Sequence, residues 1–142
     1  MANIVELRGM SDAKLEEMLE NRREEMFNLR FQVASSRLED YTRLKAVRRE
    51  IGQLETVLNM RQLAIETAVA SPALAQALAG KEWEASARFS YEESGWQVTF
   101  KEKGGKELGT ALVNLNKKRP HGRRQAKKQS QSQRVVSAEV AG

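Results

Sequence analysis

Enzyme chemistry needs a nucleophile, a poised acid or base, or a metal ligand set, and this chain offers few of these. Cysteine is absent, so thiolate metal sites, disulfides and Cys nucleophiles drop out. The only histidine, His121, sits between Pro120 and Gly122 with no orienting partner in view, which suits a solvated or phosphate-contacting residue rather than a catalytic base. Glu16, Glu17, Glu20, Glu24 and Glu25 are interspersed with Arg22 and Arg23 at helical spacing, and solvated i,i+4 pairing explains them better than paired catalytic carboxylates. No Gly-rich phosphate loop, metal-ligand spacing or nucleophile elbow occurs. The expectation is therefore a protein that is not an enzyme and carries no metal, cofactor or small-molecule substrate.

What remains is fixed charge. The 142 residues hold 24 Lys+Arg against 19 Asp+Glu, a net charge of +5, but the distribution is uneven. Residues 12–29 carry three basic against six acidic residues, residues 30–49 carry six against two, and residues 50–70 carry one against three. A second concentration lies in residues 117–134, which hold eight basic residues and no acidic one. Two basic segments with phosphate-binding potential are thus expected, one internal and one near the C-terminus.

The internal segment is positioned by helices. Between Met10 and Ser71 there is no proline and one glycine, Gly52, while apolar residues recur every three or four positions. Ser11 predicts the N-cap of a first helix, with Met10 stapled onto Leu15. Its inner stripe is Leu15, Leu19, Arg22, Met26, Leu29 and Val33, an apolar seam interrupted by one arginine. After a break over Ala34–Asp40, a second stripe runs through Leu44, Val47, Ile51, Leu54, Leu58, Arg61 and Ile65. A connection this short predicts an antiparallel hairpin, about 35 Å long at the helical rise. Lys45, Arg48 and Arg49 then fall away from the seam, beside Arg30, Arg37 and Arg43 at the turn. Gly52 fits either a close backbone approach or simple tolerance, the latter preferred. Phe27 and Phe31 lie off the seam near Arg30, so their rings either cover the chain's own Ile4, Val5 and Leu7 or contact RNA or another protein.

Beyond Ser71-Pro72, residues 71–84 read as a linker or short helix. In 85–116 the period changes to two: Ala87, Phe89 and Tyr91, then Trp96, Val98 and Phe100, predict a small β-hairpin. A loop of Glu92–Gly95 would set Tyr91 opposite Trp96, Phe89 opposite Val98 and Ala87 opposite Phe100. Leu108, Leu112, Val113 and Leu115 fit a third strand or a short helix. Residues 117–142 form a basic Gln/Ser-rich tail expected to be disordered: residues 117–134 cannot bury enough apolar area to fold alone, and residues 135–142 are too few to interpret. Its Lys117, Lys118, Arg119, Arg123, Arg124, Lys127 and Lys128 are candidate contacts to nucleic-acid phosphates, and Trp96 on the aromatic face of the extension is a candidate partner contact. The fold class expected is mainly α, with a two-helix hairpin over 1–70 and a small β-rich extension.

At this point particular blocks become informative. Leu7-Arg8-Gly9-Met10-Ser11, Glu25-Met26-Phe27-Asn28-Leu29-Arg30-Phe31-Gln32, Ser36-Arg37-Leu38-Glu39, Val47-Arg48-Arg49-Glu50-Ile51 and Thr56-Val57-Leu58 resemble, in order and spacing, the bacterial large-subunit ribosomal protein family L-twenty-nine. The resemblance covers residues 4 to about 66. It departs where the family commonly has Thr-Gly and this chain has Ser35-Ser36, and where Gly52 replaces Ala. It implies an antiparallel helical hairpin without catalytic activity, bound to large-subunit rRNA near the exit of the nascent-peptide tunnel and beside the twenty-third large-subunit protein, in one copy per ribosome. By resemblance Arg30, Phe31, Gln32, Arg48 and Arg49 are rRNA contacts. The charge map adds Arg37, Arg43 and Lys45, and Phe27 with Phe31 are candidate partner contacts. A cytoplasmic location without membrane association is expected, since no apolar run approaches a bilayer span. A competing reading, drawn from the 3,4 spacing of the two stripes, is a self-associating coiled-coil adaptor with a nucleic-acid-binding tail.

Overall fold

A computed structural model of the chain describes residues 3–115, Arg123 and residues 134–140. It divides into two compact units, Met1–Asn59 and Met60–Gly142.

The first unit is helical. Its N-terminal segment, which apolar periodicity alone does not mark as an element, is a short helix α1 (Ile4–Gly9). The signal was a capping box: Asn3 Oδ1 accepts from the Val5 N–H at 3.4 Å, and Glu6 Oε2 accepts from the Asn3 N–H at 3.3 Å. Helix α2 (Asp12–Ala34) starts where Ser11 predicts, with Ser11 Oγ accepting from the Lys14 N–H at 3.3 Å. Leu15, Leu19, Leu54 and Val57 form one buried cluster, over which α1 lays Leu7 with Ile4 and Met10. Met26, Leu29 and Val47 form another, flanked by Leu38, Leu44 and Ile51. Early residues of α2 thus meet late ones of α3 (Thr42–Val69), and the reverse, which is the antiparallel hairpin the sequence predicts.

Arg22, the polar break in the seam, lies between the two clusters and is spent on ion pairs. It contacts the Glu25 carboxylate and places Nε 3.1 Å from Glu50 Oε2. Arg43 donates from Nε to Glu25 Oε1 at 2.6 Å and lies 4.0 Å from Glu50. Four partly buried charges from both helices therefore neutralise one another across the hairpin.

The turn departs from the commonest solution in an instructive way. Ser36 takes a left-handed φ of 56°, and the Ser36 N–H donates to the Val33 carbonyl at 3.1 Å while the Arg37 N–H donates to the Gln32 carbonyl at 2.9 Å. This is a Schellman closure with serine where glycine is usual. Gly52 has open space around it, so simple tolerance, not a close approach, accounts for it.

The second unit is larger than the expected hairpin. It is a four-stranded antiparallel sheet in the order β1-β2-β3-β4, from β1 (Trp83–Ser90), β2 (Gly95–Glu102), β3 (Glu107–Val113) and β4 (Val135–Val140). Residues 71–84 supply α4 (Pro72–Leu78), which packs Leu74 and Leu78 into the core with Ala64 and Ala68 of α3. Ile65, read from sequence as part of the hairpin seam, packs with this core instead. The sheet contributes Trp96, Val98 and Phe100 from β2 and Leu108, Ala111 and Val113 from β3. A two-stranded hairpin is marginal in water, and two further strands plus a helical layer remove its apolar face from solvent. The expected small hairpin with a wholly disordered tail is therefore corrected: β4 lies within the segment assigned to the tail, while 116–122 and 124–133 lie outside the described residues.

Glycine explains why the strand signal was weak in β3 and why the β1–β2 register differs from expectation. A Cβ at Gly109 would come within 2.8 Å of the Glu139 carbonyl oxygen and 2.9 Å of Leu74, so β3 reads poorly as a strand because β4 and α4 crowd its backbone. Gly95 likewise sits in β2 opposite Ser90, with the Val113 carbonyl oxygen 3.0 Å from its virtual Cβ. The loop is therefore Tyr91–Ser94, with Ser94 at a φ of 52°, and the observed pairs are Phe89 with Trp96, Ala87 with Val98 and Ala85 with Phe100. The apolar face is as expected and the register is shifted by two residues.

Candidate nucleic-acid interface

The turn of the hairpin concentrates exposed cations on a rigid base. Val47 is fully buried, with Leu44 and Ile51 packed beside its cluster, and this fixes the roll of α3. At 100° per residue Lys45, Arg48 and Arg49 are turned outward, and all three are exposed. Arg30, Phe31 and Gln32 on the last turns of α2 and Arg37 in the connection are exposed as well. Among the described residues Arg30, Arg37, Lys45, Arg48 and Arg49 make no ion pair with a carboxylate, so their charge is available to an external anion. Arg43 differs: it is committed to Glu25 and Glu50 and braces the two helices.

The first turn of α3 has no acidic residue, so the positive end of its dipole adds to the same field. Asp40, just ahead of it, is exposed and offsets part of that field: its Oδ1 accepts from the Thr42 N–H at 2.8 Å. The hydrogen bonds from the Thr42 side chain and backbone hold its carboxyl below the usual carboxylate range.

Aromatic rings lie alongside. Phe27 is 71% and Phe31 63% exposed, because Ile4 and Leu7 are taken up by the first helical cluster and do not cover them. Tyr41, not among the residues expected at this surface, is 56% exposed in the connection. Its placement between a capping Asp and the first helical Thr was the available signal. Flat exposed rings among arginines can stack on unpaired bases while the guanidinium groups take phosphates.

Trp96 is corrected: it is only 3% exposed and packs edge-to-face on Phe89 at 5.4 Å, so it serves the core and not a partner. In the C-terminal segment Arg123 is exposed, whereas Lys117, Lys118, Arg119, Arg124, Lys127, Lys128 and His121 lie outside the described residues. Arg134 is structural, donating to the Leu115 carbonyl at 3.2 Å. No described helix is long and apolar enough to cross a membrane.

Comparison with known proteins bears on this geometry. A family model described as Ribosomal L29 protein matches residues 5–61. The chain is similar to Large ribosomal subunit protein uL29 of Streptomyces avermitilis, 48% identical over 62 residues, which is 44% of this chain and 84% of that protein. It is similar also to the proteins of the same name from Streptomyces griseus, 47% identical over 44% of this chain and 84% of that one, and Mycobacterium tuberculosis, 47% identical over 44% and 80%. The family match, which ends at residue 61, and the first unit, which ends at Asn59, stop within one turn of α3.

Proposed function

The chain belongs to the ribosomal L29 family, and from that premise we propose that the basic turn of its hairpin is the surface that seats it on large-subunit rRNA. It is a structural constituent of the large ribosomal subunit and not an enzyme. The observation that carries the proposed surface is the contrast at the turn, where Arg43 is neutralised within the chain while Arg30, Arg37, Lys45, Arg48 and Arg49 face outward. Phosphates would take the cations, and Phe27, Phe31 and Tyr41 would contact bases or an adjoining protein. The seat is near the nascent-peptide exit, beside the twenty-third large-subunit protein, with one copy per particle. Residues 117–128 add non-specific, salt-sensitive attachment.

The coiled-coil reading loses its interface, since Leu15, Leu19, Leu54 and Val47 are buried within the hairpin itself. Hydroxyl-radical footprinting of large-subunit rRNA with the full chain, and with a chain ending at residue 70, tests the proposal. A footprint common to both chains, lost on Arg48→Ala plus Arg49→Ala, is the expected result. A footprint that survives those substitutions and vanishes with residues 71–142 would overturn it.

A further inference from the structure

Among the described residues the sheet of the second unit ends in β1 on one side and β4 on the other. Edge strands expose unpaired N–H and C=O groups, and proteins usually blunt them with lysine, proline, a bulge or short length. β4 is six residues long and its pairing with β3 is irregular at Leu112/Val113. β1 lacks lysine, proline, a bulge and shortness, and its two exposed charges, Glu84 and Arg88, are opposite in sign. It is eight residues long, contains neither Lys nor Pro, and pairs with β2 without a register break from Trp83 to Ser90.

Its sequence is also chemically palindromic. Outward from Ser86 come Ala85 and Ala87, then Glu84 and Arg88, then Trp83 and Phe89: small, charged, aromatic on each side, with the two charges opposite in sign. We propose that β1 is a self-pairing edge, and that in the chain free of the ribosome it pairs antiparallel with β1 of a second copy across a two-fold axis at Ser86, joining two four-stranded sheets into one.

The pairing satisfies each layer of the strand. Opposed residues differ by an even number of positions, so outward-facing backbone groups of one copy meet outward-facing groups of the other. Glu84, Ser86 and Arg88 share the face away from the core and are exposed. Glu84 of each copy therefore opposes Arg88 of the other, giving two complementary ion pairs. On the core face Trp83 of one copy opposes Phe89 of the other. Trp83 packs edge-to-face on Phe100 at 5.4 Å yet is 36% exposed, and Phe89 is half-buried, so both rings have surface left to cover. A two-fold contact of this kind closes at two copies.

Sedimentation equilibrium of the full chain tests this, with a mass rising from 16.0 kDa toward twice that as concentration increases. Arg88→Glu sets like charges against each other in both pairs, as does Glu84→Arg, and each weakens the dimer by about ten-fold. A mixture of the two single variants, and the Glu84→Arg/Arg88→Glu double variant, return to the original affinity, which misfolding could not produce. Because the chain has no cysteine, Ser86→Cys gives a clean probe of register. Directly opposed Cα atoms about 4.5–5.5 Å apart permit a disulfide, so this variant oxidises to a covalent dimer while Gln97→Cys, on the same face of β2, does not. A monomer mass at every concentration up to the millimolar range would overturn the proposal. So would a dimer indifferent to the charge swaps and uncrosslinked at position 86.

Discussion

Exposed and braced arginines at one turn make separable predictions. Arg48 and Arg49 are exposed on α3, so replacing both with Ala leaves the hairpin within about 0.5 kcal/mol of its original stability. If each neutralises one phosphate, the double variant flattens the slope of log K against log salt by about 1.4–1.8, since each lost contact removes roughly 0.7–0.9. Arg43→Ala does the opposite. It strips Glu25 and Glu50 of a shared cation. Because Arg43 is 45% exposed, solvent screens the pair, and the cost is about 1 kcal/mol of stability with the salt slope unchanged. Anisotropy of a labelled large-subunit rRNA fragment over a salt series reads the slope, and urea unfolding followed by helical circular dichroism reads stability. An Arg43→Ala variant that loses slope at full stability, beside a double variant with an unaltered slope, would refute the assignment of roles.

Three further outcomes follow from local geometry. Ser36→Gly relieves a left-handed serine within an otherwise complete Schellman closure and raises hairpin stability by about 0.5–1 kcal/mol, seen as a higher urea midpoint; a lower midpoint would contradict the assigned turn. Gly109→Ala drives a Cβ against the Glu139 carbonyl and Leu74, costing the second unit roughly 1–3 kcal/mol, which Trp fluorescence monitors through buried Trp96; an unshifted fluorescence transition would show that β4 does not crowd β3. The Asp40 carboxyl is held below its unfolded value, so its contribution is present above that unfolded value and is lost as pH falls through the folded one. Helical signal over an acid titration should therefore fall with a component that Asp40→Asn removes, and superimposable profiles would argue against the cap.

Local signals alone specify the helical hairpin, because 3.6-residue periodicity, a Ser11 cap and a short connection are properties that no distant contact had to supply. They also specify which arginines lie off the seam, since helical phase follows from spacing alone, and the Asn28-Leu29-Arg30-Phe31-Gln32 block carries the family resemblance. Other features depended on contacts between residues far apart in the chain. That Arg43 is spent on Glu25 and Glu50, that Ile65 packs with the second core, and that Trp96 is buried are facts of packing across elements. The sheet shows the same division. Alternation revealed β1 and β2, but β3 carries a glycine where a neighbouring carbonyl leaves no room for a side chain, and β4 is strand only because β3 offers it an edge. Strand pairing is a long-range interaction, and a segment whose conformation is decided by its partner carries little of that decision in its own residues.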